Sequence, residues 1–281
     1  MAELLKGREV AQALDAATAQ LVSHLKEKGI DPTLAILRVG ERSDDLSYER
    51  GAARKCQSVG IAVRNVVLPE DVDRDEFYQI LKQLNEDDGV HGILMLRPLP
   101  AHLDNERARN AIRPEKDVDG CSDASLTGIF TDKPVGFAPC TAEAVMAILK
   151  HYQITLKGRD VTVLGRSLVV GKPLAMMLLR ENATVTVCHS RTVNIAAKAR
   201  RAEILISCTG QMESVNREHV ASGQTVIDVG ISYNEKKQKL CGDCLFEEVE
   251  PIVARITPVP GGVGAVTTSI LVRHVAEAAD K

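Results

Sequence analysis

The chain is expected to be an α/β protein of two domains, the second a doubly wound parallel sheet. Three observations carry this. Short apolar runs rich in β-branched residues alternate with longer runs of helical period along the sequence. In the second half, four such short runs end in glycine or small polar residues, as strands do when their carboxyl ends face a ligand. The length, 281 residues with 44% hydrophobic content, suits two domains of ordinary size, each able to bury a core.

In the first half, residues 3–28 carry Val10, Leu14, Leu21 and Leu25 at helical spacing. Residues 33–39 read as a strand, and 46–59 as a helix entered through Asp44 and Asp45, which suit its positive end. Residues 61–68 form the next strand, 73–85 the next helix, and 90–95 a strand running into Arg97-Pro98-Leu99-Pro100. Residues 131–139, with one glycine and two prolines, read as the crossing between domains, and 141–150 as a connecting helix. Near the end, the Pro- and Gly-dense stretch 257–264 is a rigid loop feeding a last helix at 267–279.

The second half is organised around DVTVLGRSLVVGKPLAMMLL, residues 160–179. Its run 161–164 is a strand, Gly165-Arg166-Ser167 a loop, and Gly171-Lys172-Pro173 the start of a helix. Such a turn lets the backbone approach a phosphate, and the free N–H groups and positive dipole end of the helix attract negative charge. Gly165 and Gly171 stand six apart and lack the middle glycine of G-x-G-x-x-G, so an ordinary βα turn also accounts for this stretch.

The next strand favours a dinucleotide site. The run ATVTVC, 183–188, ends in His189-Ser190-Arg191-Thr192, where a Rossmann-like domain reads the adenosine ribose. An acidic residue there would accept from a 2′-hydroxyl. This chain instead offers a hydroxyl and a guanidinium, with Arg166 in the preceding loop, a set suited to a 2′-phosphate. NADP is therefore expected over NAD. Residues 202–208, ending at Thr209-Gly210, and 225–229, ending at Gly230-Ile231, continue the sheet.

Composition excludes several classes. A net charge of -3 without a basic tract points to neither nucleic acid nor a membrane surface. No apolar run approaches about 18 residues and no signal pattern opens the chain, so a cytoplasmic protein is expected. Seven cysteines without a regular framework fit reduced thiols. Cys241-Gly242-Asp243-Cys244 is a lone C-x-x-C, and since a structural zinc needs four ligands, no metal site is expected.

Taken together, GRSLVVGKP (165–173), ATVTVCHSRT (183–192), EKDVDG (115–120), PCT (139–141), IDVGI (227–231) and ITPVPGGVG (256–264) resemble the methylenetetrahydrofolate dehydrogenase/cyclohydrolase family, in order and over essentially the whole chain. The resemblance implies NADP-dependent oxidation of 5,10-methylenetetrahydrofolate to the methenyl form and, in bifunctional members, hydrolysis to 10-formyltetrahydrofolate. It also implies a homodimer with the folate in the cleft between domains: residues 1–140, with the final helix 265–281 packed back on them, binding folate, and 141–264 binding NADP. Carried over by register, Gly165, Arg166, Ser167, Ser190, Arg191 and Ile231 look like the cofactor contacts. Asp119 matches an aspartate that hydrogen-bonds the pteridine, Tyr48 a tyrosine that stacks on the folate, and Pro260-Gly261-Gly262 a loop lying against it. Tyr48 and Asp119 are the expected catalytic pair. Taken alone, Asp119-Gly120 would read as a turn and Tyr48 as a core or rim residue.

The departures from the family are as informative. One helical turn after the tyrosine, bifunctional members carry a lysine that handles the proton and water chemistry of hydrolysis; here that position is Ala52. A nearby serine becomes Asp45, and the glutamine of G-I-L-V-Q-L-P-L-P becomes Leu96. Alanine and leucine make a coherent pair, since a buried amide facing alanine would go unsatisfied at about 1–3 kcal/mol. Lys55 returns to the face of Tyr48 but lies about 10 Å along the axis. Arg54 faces away, and both it and Arg97 are permanently protonated, hence poor proton shuttles. Ala142, Ala144 and Ala265 stand where family members often have proline or glycine. A dehydrogenase with weak or absent cyclohydrolase activity is the leading expectation. The alternatives are a full bifunctional enzyme using another group for hydrolysis, and a non-enzymatic folate- or nucleotide-binding relative.

Overall fold

A computed structural model describes the whole chain, Met1–Lys281. Its strands are β1 (Glu3–Leu4), β2 (Thr33–Val39), β3 (Ala62–Leu68), β4 (Gly92–Met95), β5 (Asp160–Leu164), β6 (Thr184–Cys188), β7 (Ile204–Ser207), β8 (Thr225–Asp228), β9 (Ser232–Asn234), β10 (Lys239–Cys241) and β11 (Arg255–Ile256). The chain divides into two compact units, one of Ala13–Cys140 with Thr268–Lys281, the other of Met1–Gln12 with Thr141–Thr267.

The first unit holds a three-stranded parallel sheet in the order β3-β2-β4. Central β2 is buried from Leu34 onward, which explains its near-continuous apolar run. Its one charge, Arg38, pairs with Glu49 at 2.6 Å and donates to the Gly40 carbonyl. The helix Ser43–Val59 follows β2 and stops at Gly60, whose φ of 84° is left-handed. The helix Arg74–Glu86 follows β3 and is capped by Asp73, which accepts from the backbone N–H of Asp75 and Glu76. Ala35, Leu37, Phe77, Leu81, Ile93 and Met95 meet in the core. Two further helices, Asn105–Ala111 and Asp123–Thr131, arise where no helical period is visible; Asp104 and Ser122 cap them.

The second unit is a six-stranded parallel sheet in the order β1-β11-β8-β7-β5-β6. The helix Gly171–Arg180 carries the chain from β5 outward to β6, and Ile195–Arg201 returns it past β5 to β7. The strand order therefore reverses between β5 and β7, the switch point at which doubly wound sheets bind ligands. Leu164, Leu205, Val226 and Ile256 anchor its core.

The expected helix over 3–28 departs from the structure at its start. Glu3 and Leu4 pair with Arg255 and Ile256, and the helix begins only at Gly7. The reason is the otherwise open edge of β11: Glu3 N–H donates to the Ala254 carbonyl at 2.8 Å and Leu5 N–H to that of Ile256 at 2.9 Å. Residues 1–12 accordingly belong with 141–267, not with the expected 1–140 unit. The last helix starts at Gly264, three residues before the expected 267. No helix is long and apolar enough to cross a membrane.

Candidate active site

Because the large sheet is parallel, every residue that comes directly after its strands emerges at one edge. Gly165, Arg166 and Ser167 follow β5, Ser190 and Arg191 follow β6, Ile231 follows β8, and Pro260, Gly261 and Gly262 follow β11. Gly165 has a φ of 127°, and a Cβ there would lie 2.5 Å from the Cys208 carbonyl oxygen. Only glycine lets the loops after β5 and β7 close up at the switch point. The Ser167 hydroxyl accepts from Val170 N–H at 3.1 Å and shapes the approach to the helix N-terminus at Gly171.

The turn after β6 closes on itself. His189 N–H donates to Thr192 Oγ1 at 2.9 Å and Thr192 N–H to the His189 carbonyl at 2.7 Å, leaving Ser190 and Arg191 exposed at its tip. Arg166 and Arg191 are both exposed and form no ion pair. Two unneutralised guanidinium groups and a hydroxyl, with no carboxylate at the end of β6, fit a dinucleotide carrying a 2′-phosphate. Ile231 is 60% exposed and offers an apolar face at the same edge.

Two buried carboxylates hold this edge together. Asp228 accepts from Gly230 N–H and Asp243 N–H at 2.9 Å and from Cys244 N–H at 2.8 Å. Asp243 accepts from the Ser207 hydroxyl at 2.9 Å and from Thr209 N–H at 2.6 Å. Burial pushes the Asp228 carboxyl up to about 6, against the pull of those amides. The C-x-x-C stretch thus serves to deliver Asp243, and burial raises both of its thiols, so neither is a thiolate at neutral pH. The Pro260-Gly261-Gly262 loop is tied down by Gly7 N–H, which donates to the Gly261 carbonyl at 2.8 Å.

In the first unit, Tyr48 and Ala52 stand four apart on the helix Ser43–Val59, one above the other on the stripe that includes buried Asp45, Cys56 and Val59. That helix is clamped to the exit of β4, where Arg42 donates to the Pro98 carbonyl at 2.8 Å. Ala52 is 0% and Leu96 6% exposed, so both are core residues. Asp45 is buried with Arg42 3.7 Å away. Lys55 is held by Asp15 at 2.6 Å, and Arg54 is exposed.

Most of the EKDVDG motif is consumed by the fold. Lys116 donates to the Leu84 and Asp87 carbonyls, and Asp117, fully buried, accepts from Cys121 N–H, Ser122 N–H and the Ser125 hydroxyl. Gly120 has a φ of 66°, and a Cβ there would lie 2.5 Å from the Pro139 nitrogen. What remains is the Asp119 carboxyl. Burial and neighbouring Asp117 raise it to about 6, while Arg97, a hydrogen bond from Cys140 and the charge of His274 pull it down. Tyr48 is 36% exposed, yet burial, Asp119 and Cys140 all raise its phenol well above the usual value, so it is a neutral donor and not a base.

His274 is a member of this site that the sequence does not announce. Its Nδ1–H donates to the Val118 carbonyl at 2.8 Å, its ring packs on Phe137 with centroids 4.8 Å apart, and the Cys140 sulfur lies 3.8 Å from it. A lone histidine within an apolar helical run gives no signal beyond that of a core residue.

A parallel sheet with glycine turns and free cations at its carboxyl edge, joined to a unit carrying a carboxyl and a tyrosine, defines a dinucleotide-binding α/β enzyme. Residues 139–281 match the profile described as tetrahydrofolate dehydrogenase/cyclohydrolase, NAD(P)-binding domain, and residues 5–119 that of the catalytic domain. The bifunctional protein FolD of Carboxydothermus hydrogenoformans is 49% identical over 281 residues, 100% of this chain and 98% of that one. Among solved structures, the bifunctional enzyme FolD of Campylobacter jejuni superposes with a TM-score of 0.97 at 36% identity, covering 100% and 99% of the two chains. The Trypanosoma brucei enzyme, complexed with NADP cofactor and inhibitor, superposes at 0.92 with 34% identity, covering 99% and 97%. The chain belongs to the tetrahydrofolate dehydrogenase/cyclohydrolase family.

Proposed function

We propose that the chain oxidises 5,10-methylenetetrahydrofolate to 5,10-methenyltetrahydrofolate with NADP, and that its cyclohydrolase activity is weak or absent. The observation that carries the second half is that Ala52, one helical turn from Tyr48, and Leu96 are both buried apolar residues, together with the engagement of Lys55 by Asp15. The lysine on the Tyr48 side of this helix is thereby taken up in an ion pair.

Oxidation asks little proton chemistry of this chain. The substrate's own amine nitrogen supplies the electron push, and NADP, when bound, supplies the hydride acceptor. Gly165, Arg166, Ser167, Ser190, Arg191 and Ile231 would hold the cofactor, with the 2′-phosphate against the two guanidinium groups. Asp119 anchors the pteridine, Tyr48 and the Pro260-Gly261-Gly262 loop offer surfaces to the folate, and exclusion of water protects the methenyl product. Hydrolysis, in contrast, needs an activated water and a protonated leaving nitrogen, tasks for which a positioned acid/base is worth about 10²- to 10⁴-fold.

A bifunctional enzyme is the second reading. It draws on the names of the relatives and on Asp119, whose carboxyl at about 6 titrates close to neutrality. A homodimer belongs to either reading: β6 is the open edge of the large sheet and exposes Thr184, Thr186 and Val187. Seven free thiols support a cytoplasmic setting.

The test follows NADPH and methenyl-folate absorbance together, after mixing the chain with 5,10-methylenetetrahydrofolate and NADP. Both should rise in parallel, faster than with NAD. Arg191→Ala is expected to cut the NADP-over-NAD preference roughly 10- to 100-fold, the worth of one charge-assisted hydrogen bond. An unchanged preference would remove Arg191 from the 2′-phosphate site.

A further inference from the structure

Of the four residues 117–120, only Asp119 is not buried. Asp117, Val118 and Gly120 are enclosed, so the turn offers one side chain and hides the backbone that aims it. The aim is set by two peptide planes, since each peptide unit is flat and turns only about the bonds at the α-carbon. The plane before Asp119 carries the Val118 carbonyl, and the plane after it carries the Asp119 carbonyl.

Both planes are held. In the second, the Asp119 carbonyl accepts from Cys140 N–H at 3.4 Å and Gly120 N–H donates to the Asp117 carbonyl at 2.9 Å. In the first, the Val118 carbonyl accepts from His274 Nδ1–H at 2.8 Å. The Cys140 sulfur lies 3.2 Å from the same oxygen, but a thiol is a weak donor, so the imidazole is the principal one.

His274 reaches this oxygen from a fixed place. It is 1% exposed, on the stripe of the helix Gly264–Ala279 that includes buried Ile270, Leu271 and Val275, where a polar group is costly unless hydrogen-bonded. Its ring packs on Phe137, whose N–H donates to the Ser125 hydroxyl at 3.4 Å; that hydroxyl donates to the Asp117 carboxylate at 2.6 Å. Ring and turn are thereby tied to one buried carboxylate. Val118 is wedged as well. A Cβ on Gly92 would lie 2.7 Å from its side chain and 3.1 Å from that of Val275, so strand, turn and helix meet there.

We infer that His274 is a positioning residue for Asp119: its donation to the Val118 carbonyl fixes the peptide plane from which the Asp119 carboxyl is aimed at the folate. This assignment rests on the folate reading of Asp119. A histidine that served the core alone would stabilise the helix whether or not Asp119 were present.

The experiment titrates tetrahydrofolate into the full-length chain by calorimetry, with NADP affinity measured on each preparation as the check of folding. Wild type is compared with His274→Leu, Asp119→Ala and the double variant. His274→Leu should weaken tetrahydrofolate roughly 10-fold, near the upper worth of one hydrogen bond, and leave NADP unchanged. In the Asp119→Ala chain the same substitution should cost nothing further in folate affinity, because the group it aims is gone. His274→Asn should restore most of the affinity, since its amide nitrogen can stand where Nδ1 stands; His274→Gln, with its amide one carbon further out, should not. In turnover, the KM for the methylene substrate should rise in His274→Leu, with the KM for NADP unchanged.

Equal losses from His274→Leu with and without Asp119, or equal folate affinities for the Asn and Gln variants, overturn the inference. Should His274→Leu not bind NADP, the Asn and Gln pair decides alone. A wild type that binds no tetrahydrofolate, or an Asp119→Ala chain that binds it as tightly as wild type, would instead sink the folate reading of Asp119.

Discussion

Combining Ala52→Lys with Leu96→Gln should accelerate methenyl-folate hydrolysis roughly 10²- to 10⁴-fold, the range of a positioned acid/base, whereas Ala52→Lys alone should bring back little. The coupling comes from burial. Ala52 is 0% and Leu96 6% exposed, so an amine introduced alone enters a buried position without its amide partner. Desolvation then favours its neutral form, which has no proton to give the leaving nitrogen. The glutamine carbonyl supplies an acceptor and restores the charged form. The rate is read from the loss of methenyl-folate absorbance, with NADPH formation as the check that each variant folds. Full recovery by Ala52→Lys alone would contradict a coupled site.

Asp228→Ala should be the most damaging single change to stability. Three backbone N–H groups, those of Gly230, Asp243 and Cys244, lose their acceptor at a position 3% exposed. At about 1–3 kcal/mol for each amide left unsatisfied, the loss is at least about 3 kcal/mol. That is a large part of the roughly 5–15 kcal/mol that holds a domain folded. The loss depends on pH. The folded Asp228 carboxyl is raised to about 6 from 3.8, so its stabilising contribution is complete below 3.8 and declines as pH rises through about 6. Alanine removes both the hydrogen bonds and the cost of burying the ionised form. The difference between wild type and variant in urea unfolding should therefore be larger at pH 5 than at pH 8. Equal losses at the two pH values would show that the buried carboxyl does not titrate in this range.

The second unit is the more legible of the two. Strands β5 to β8 are short, buried or β-branched runs ending in glycine or small polar residues, so strand, loop and edge all stand in the sequence. Strand β1 does not, because two residues carry no period and their strand state depends on β11, some 250 residues away. The hairpin of β9 and β10 has three residues in each strand, paired antiparallel, too few for an apolar alternation to announce it. The helix Asn105–Ala111 buries only Ala108, so it has a cap but no apolar stripe.

The site divides in the same way. Tyr48 and Asp119 come from the register of surrounding motifs, since a tyrosine on a helix face and an Asp-Gly pair say little alone. Cys140 and His274 bear on Asp119 only through tertiary packing, from 21 and 155 residues further along the chain. The engagement of Lys55 by Asp15 is a long-range pair that spacing cannot reveal.

The separation of oxidation from hydrolysis at the Tyr48 site is tested most directly from purified 5,10-methenyltetrahydrofolate. The decay of its absorbance is measured with and without the chain, using a preparation that forms NADPH from the methylene substrate. Decay no faster than in buffer is the expected result. Decay that accelerates in proportion to the chain added would contradict the separation and make the apolar pair Ala52 and Leu96 compatible with hydrolysis.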